Sequence, residues 1–455
     1  MIELLIGVIV TIAVGYFIVK GYKPTGVLLT AGISLLIITG LMGHTVLPAK
    51  LNSTGNMFTD ALEYVKYMLQ YRGGGLGMQI MLLCGFASYM THIGANNVVV
   101  QQFSKPLSAI KSPYVLLVAA YIVACLMSLA VSSATGLGVL LMATLFPMMT
   151  AMGISRPAAV AVCASPAAII LSPTSGDVVI AAEKSGLPLH VFSVQTVLPV
   201  SICAIIVMAI AAFFWNKYLD KKNNTPMERV DISKIEVNAP AFYAILPFLP
   251  IIGVFLFNGE TIKGLYLDIY TIVVLSIFIG AVVNYVTRRF DGKKSLEDLE
   301  SCYQGMADAF KGVVMLLVGA GVFAQGLMSI GAIDNLLHLA ELAGAGGVAL
   351  MLILTGLTVA AAIATGSGNA PFYAFVELAP SLAAKLGLNP AFLIIPMLQA
   401  SNLGRTISPV SGVVVATSGM GKVSPFEVVK RTSVPVLCGL LTVILGTLVL
   451  VPMTL

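Results

Sequence analysis

Apolar stretches separated by short polar loops run the length of the chain, and most approach the roughly 20 residues a membrane helix needs. They cover residues 2–20, 25–43 and 76–95, then a stretch from 113 to 153 that Ser, Thr and Gly interrupt at 132–138. A second interrupted segment, 157–183, is broken around 164–166 and 172–177, and 190–215 follows without a break. After a polar linker the same order returns: 240–257, 269–286, 312–330, a stretch 347–385 interrupted at 365–371, a broken segment 390–419, and 425–451. Two amphipathic pieces, 57–72 and 296–310, precede the third span of each half and are expected to lie in the membrane interface. The pattern predicts an all-α polytopic membrane protein. Residues 2–17 lack a basic leader and are followed by Lys20 and Lys23, so a retained first span is expected rather than a cleaved signal.

Composition removes the competing classes. Of 455 residues, 58% are hydrophobic before the 43 glycines are added, and only 10% are charged. A soluble domain is roughly 45–50% apolar with glycine included and about 25% charged. A soluble enzyme, a disordered chain and a nucleic-acid binder are excluded, and the lipid bilayer is the expected surrounding. The six cysteines form no CxxC and the four histidines no HExxH, so no metal centre, disulfide framework or cofactor is expected. An intramembrane serine hydrolase would need a general base beside its nucleophile. No Lys lies in a span, and no catalytic residue is assigned.

The two halves also match residue by residue. Shifted by 236 positions, 165–179 lies on 401–415 with seven of fifteen identities, among them Ser172/Ser408, Pro173/Pro409, Ser175/Ser411 and Gly176/Gly412. Roughly one match is expected from ordinary residue frequencies. A shift of 230 pairs Thr135-Gly136 with Thr365-Gly366. The chain is therefore read as an internal duplication, with a first repeat over 1–218, a cytoplasmic linker at 219–239 and a second repeat over 240–455. Each repeat is expected to make five crossings and one re-entrant hairpin, at about 113–153 and about 347–385, followed by a broken helix at about 157–183 and about 390–419. With the N-terminus outside, eighteen basic residues fall on the inner side and six on the outer, as the positive-inside rule requires. Five is odd, so the repeats are inverted and both termini are placed outside.

Non-helical backbone at membrane depth survives only within protein or beside a water-filled cavity, and paired broken helices in inverted repeats point to a midplane substrate site. Half-helix N-termini offer N–H donors to anions. The candidate substrate-binding residues are Ser133, Thr135 and Gly136 in the first hairpin, and Ser165, Pro166, Ser172, Thr174 and Ser175 in the first broken segment. Their counterparts are Thr365, Gly366, Ser367 and Asn369 in the second hairpin, and Ser401, Asn402, Arg405, Thr406, Ser408 and Ser411 in the second broken segment. Glycines at these places also serve close helix packing, and isolated Ser and Thr often bond back to their own helix. Arg405 reads as the one basic residue inside a span, opposite Ile169 in the other repeat. It is a counter-ion for an anionic substrate, whose carboxylate matches its planar fork, or a structural group satisfied by carbonyls of the break. Asp177 is either a helix cap or a group for a coupling proton or sodium ion, in which role Asn369 and Glu377 are also candidates.

The stretches 132–147, 164–179, 364–377 and 399–412 together resemble the anaerobic four-carbon dicarboxylate carriers of the DcuC type, and the likeness runs nearly end to end. The resemblance implies a bacterial inner-membrane secondary transporter for succinate, fumarate and malate, working by proton-coupled uptake, exchange or succinate efflux. The wider ion-transporter superfamily that it resembles implies an elevator motion and a homodimer. A carrier for another small carboxylate and a passive anion channel are the alternative readings.

Overall fold

The computed structural model describes residues 2–454 apart from 21, 49–50, 105, 108–109, 111, 132, 224–238, 260, 333–334 and 336–345. Most of the expected linker, and Ser132 of the first hairpin, lie outside the described residues.

The first half contains α1 (Ile2–Val19), α2 (Pro24–Leu41), α3 (Met57–Gly74), α4 (Leu76–His92) and α5 (Ala95–Ser104). The helix-turn-helix α6 (Pro113–Met127) and α7 (Ala134–Ala151) follows, then α8 (Arg156–Ala164), α9 (Gly176–Ser185) and the long α10 (Leu189–Asn223). The second half contains α11 (Ala241–Leu256), α12 (Ile269–Thr287) and α13 (Gly292–Ser329). Its helix-turn-helix is α14 (Gly347–Thr365), α15 (Asn369–Val376) and α16 (Ala379–Lys385), followed by α17 (Pro390–Thr406), α18 (Gly412–Gly421) and α19 (Pro425–Leu450).

Among the described residues six helices are long and apolar enough to cross a membrane: α2, α10, α12, α13, α14 and α19. The bent pairs, including α4 with α5 at 72°, raise the number to eight. Five of the six coincide with expected crossings, and α14 is an arm of the expected second hairpin. The remaining expected crossings are shorter apolar helices, a bent pair, or the two interrupted segments, whose breaks no length criterion can bridge. Apolar side chains face outward in rows, as Ile202, Ile206, Ile210 and Phe214 do on α10 and Leu437, Leu441 and Leu445 on α19. Lipid is the solvent that such rows require.

Of the two amphipathic pieces, the first is the separate helix α3 and the second is not a helix of its own. Residues 296–310 are the first half of α13, which continues through a π-helical turn at Phe310–Val314 into its apolar half. Only Gly75 separates α3 from α4. Close approach explains why the amphipathic turns stand on the spans. A Cβ on Gly305 would lie 2.9 Å from the Cys84 carbonyl, and one on Gly85 would lie 2.8 Å from the Cys302 carbonyl. Reciprocal small residues thus bring α4 and α13 together, as in many membrane helix pairs.

Besides Arg405, Arg72 and Arg431 are buried guanidiniums, each held in an ionic cluster. Arg72, 2% exposed, bonds Glu377 and lies 3.3 Å from Glu183, while Lys184 Nζ lies 2.6 Å from Glu377. Arg431, fully buried, lies 2.8 Å from Asp220 and 3.2 Å from Glu427. Asp220 also accepts hydrogen bonds from Ser155 (2.6 Å) and Tyr114 (3.0 Å). Both arginines sit at helix ends, where the sequence reads them as loop charges. Apart from Glu427, four residues before Arg431, their carboxylate partners are remote in the chain, so little in the local pattern announces the burial.

Candidate functional site

Four helices begin at the interruptions. Ser133 caps α7 by accepting from the Gly136 N–H at 3.1 Å, and Ser175 caps α9 by accepting from the Val178 N–H at 3.3 Å. Ser367 accepts from the Ala370 N–H at 3.3 Å at the start of α15, and α18 starts after Ser411. Asp177 is therefore not the cap of α9. It sits in the first turn with its carboxylate turned toward the second half.

Each break is closed by groups from elsewhere. Gln399, fully buried on α17, accepts from the Ile170 N–H at 2.9 Å and donates to the Ile170 carbonyl at 3.1 Å and to Ser201 at 3.0 Å. Arg405 Nη2 donates to the Ala167 carbonyl at 2.9 Å. The second break is tied to its own hairpin by Ser408 Oγ, which donates to the Ile363 carbonyl at 2.7 Å. Ser172 Oγ, donating to the Leu129 carbonyl at 3.4 Å, ties the first hairpin to the first break. The first hairpin also touches the other half, since a Cβ on Gly138 would lie 2.9 Å from Val413.

Two cavities meet at this crossing. One, about 470 Å³, is lined by Ser133, Ser172, Thr174, Ser175, Asp177, Asn369, Asn402 and Arg405 among others. The other, about 320 Å³, is lined by Ser133, Thr135, Gly366, Ser367, Asn369, Arg405 and Gly412 among others. Ser133, Asn369 and Arg405 border both. The N-terminal ends of α7, α9, α15 and α18 all contribute lining residues. The first N–H groups of a helix have no partner within it, and its macrodipole places partial positive charge there. Arg405 adds a full charge. Its Nε is buried without a hydrogen-bond partner, so the Ala167 carbonyl leaves the guanidinium incompletely satisfied.

The structure does not bring every expected residue to the cavities. Ser165 bonds back to the Ala161 carbonyl at 2.5 Å, and Thr365 and Thr406 to Ala361 and Asn402. Ser401 donates to Leu398. Ser408 and the fully buried Ser411, whose Oγ has no partner, pack at the second break behind Gly366. Gly136 and Pro166 belong to their turns rather than to either lining. Glu377 is held in the Arg72 cluster. Tyr373 was not singled out from the sequence, where it reads as one aromatic in an apolar run. It is buried beside the larger cavity, accepts from Asn369 Nδ2 at 3.1 Å and donates to Asp177 Oδ1 at 2.5 Å.

The model of the family described as DcuC, C4-dicarboxylate anaerobic carrier, matches residues 2–452. The chain belongs to that family. It is 86% identical over 453 residues to the probable anaerobic C4-dicarboxylate transporter DcuC of Vibrio cholerae, covering 100% of this chain and 99% of that one. It is 62% identical over 453 residues to the anaerobic C4-dicarboxylate transporter DcuC of Escherichia coli, covering 100% and 98%. The family and these relatives are transporters, not enzymes, and the chain is a multi-pass membrane protein. In fold it is similar to MtrF of Neisseria gonorrhoeae, with a TM-score of 0.59 and 12% identity over 94% of this chain and 95% of that one. It is also similar to the YdaH transporter of Alcanivorax borkumensis, with a TM-score of 0.58 and 15% identity over 93% and 98%.

Proposed function

We propose that this protein is a secondary carrier of C4-dicarboxylates such as succinate, fumarate and malate in a bacterial inner membrane, binding the dianion where the two cavities meet. One observation carries the reading: four helix N-termini and the incompletely satisfied Arg405 converge there. A dicarboxylate brings two negative ends to a site of positive partial charges. Ser133, Thr135, Ser172, Thr174, Ser175, Ser367, Asn369 and Asn402 supply further polar groups. The family membership and the names of the relatives support the substrate class.

The coupling ion of this reading is a proton on Asp177, in uptake, exchange or efflux. Both oxygens of that carboxylate face donors, the Tyr373 hydroxyl and Asn402 Nδ2. Such a carboxylate, hydrogen-bonded to a hydroxyl and an amide, can take a proton by rearranging one hydrogen bond. The reading also takes the halves as inverted repeats, with both termini periplasmic and the protein a homodimer. In it α6–α10 and α14–α19 form a body that moves, elevator-fashion, against α1–α5 and α11–α13. The Arg72 cluster joins the two bodies and would part during the motion, while the Arg431 cluster lies within the moving one.

Arg405→Ala tests the site. A charge-assisted hydrogen bond is worth about 1.5–3 kcal/mol, so succinate affinity should fall roughly 10-fold to 150-fold. Arg405→Lys, lacking the planar fork, should also be impaired. Affinity and melting temperature are measured on the same purified sample. Normal affinity with lowered stability would reduce Arg405 to a brace for the Ala167 carbonyl.

A further inference from the structure

We propose that the Tyr373 hydroxyl couples the proton to the substrate, donating to Asp177 when that carboxylate is ionised and to a substrate carboxylate when it is protonated. This rests on the reading of Asp177 as the coupling group.

Donors and acceptors around the phenol decide where its hydrogen goes. Asn369 Nδ2 can only donate, and it gives a hydrogen bond to the phenol oxygen at 3.1 Å. The phenol has a single hydrogen, which it gives to Asp177 Oδ1 at 2.5 Å. The chain therefore runs from Asn369 through Tyr373 to Asp177, and it needs an acceptor at its end. In this proposal the proton goes to Oδ1, the oxygen that faces the phenol, and makes it a donor toward Tyr373. The phenol oxygen can accept twice, from Asn369 and from Asp177, but its own hydrogen must then turn away. Tyr373 borders the larger cavity, which also holds Arg405 and the start of α9. A carboxylate bound there gives the released hydrogen its acceptor. Asp177 gains an O–H bond, and the proton is given up by the buffer acid in the surrounding solution, which is left as its conjugate base.

The second oxygen leads to the same hairpin. Asn402 Nδ2 lies 3.5 Å from Asp177 Oδ2, and its two hydrogens are shared among that oxygen, the Leu398 carbonyl at 3.3 Å and Ser401 Oγ at 3.1 Å. Asn402 Oδ1 abuts the tip, where a Cβ on Gly368 would meet it at 2.9 Å. Other titratable groups facing this region are Arg405 on α17, Cys84 on α4 and Asp308 on α13, the last two bordering the same cavity. Glu183, Lys184 and Glu377 are engaged with one another and Arg72 at the far end of α9. None of these can replace Tyr373, because none donates to Asp177 Oδ1. A protonated Asp177 favours the dianion, and by reciprocity the dianion favours the proton.

The test is calorimetry of succinate binding to the purified carrier in buffers of different ionisation enthalpy, at pH values where succinate is a dianion. Wild type should take up a proton on binding, with affinity rising as pH falls, toward about tenfold per pH unit for one linked proton. Asp177→Asn should bind with no proton uptake. Tyr373→Phe retains the carboxylate but should lose most of the uptake, so that affinity changes less than about twofold per pH unit. Tyr373→Leu carries the same expectation should the Phe variant fail to fold. Tyr373→Phe with weaker binding but the wild-type pH slope would overturn the coupling role and leave Tyr373 a packing residue. Uptake undiminished in Asp177→Asn, or absent in wild type, would overturn the assignment of Asp177 itself and this inference with it.

Discussion

Asn369 and Ser165 are both polar residues beside a break, yet their side chains have different employment. Ser165 spends its hydroxyl on the Ala161 carbonyl of its own helix, whereas Asn369 borders both cavities. Asn369→Ala should therefore weaken succinate affinity about tenfold or more, the worth of a hydrogen bond to a charged group. Ser165→Ala should leave affinity unchanged. Binding measured on both variants side by side checks the contrast, and equal losses would mean that the cavity lining does not define the site. The sequence made Arg405, Asp177 and Asn369 visible because a charge or amide beside a break is out of place in lipid. Tyr373 and Gln399 left no such mark. At the offset that aligns the broken segments, Gln399 faces Cys163, so the duplication gives no hint that it closes the opposite break.

Among the elements, the second hairpin depends most on a single backbone conformation. Gly366 ends α14 at φ +70°, and a Cβ there would lie 2.9 Å from the Ser411 N and from the Val410 carbonyl. The left-handed conformation costs a residue with a Cβ roughly 1–2 kcal/mol, and the contact adds to that. Gly366→Ala should lower both the melting temperature and succinate affinity, since the tip would withdraw from the second break. A variant with wild-type values in a thermal melt and a binding titration would contradict this packing. The hairpins and broken helices were legible because Ser, Gly, Pro and Asn interrupt long apolar runs at matched positions. The continuity of α13 was not legible. Its amphipathic half reads as interfacial, and only the close approach at Gly85 and Gly305 reveals that this half stands against α4.

At the scale of the whole molecule, the proposed orientation, which rests on the basic-residue asymmetry, puts Asn223 inside and Thr454 outside. In a background without the six native cysteines, Asn223→Cys should react with an impermeant reagent only from the cytoplasmic side and Thr454→Cys only from the periplasmic side. Reaction of both from one side would contradict five crossings per half. Hydrophobic pattern made the all-helical, multi-pass character readable, because it acts through the bilayer. The ionic clusters that pin helix ends together form only after folding brings Glu183, Glu377 and Asp220 to their arginines. The central claim is that the molecule carries a dicarboxylate through the crossing of the breaks. Counterflow of labelled succinate into proteoliposomes preloaded with unlabelled succinate addresses it directly. The account predicts transient accumulation with wild type, competed by fumarate and malate, and much less with Arg405→Ala at the same succinate concentration. Flux that merely equilibrates the label, or undiminished counterflow in the variant, would contradict it.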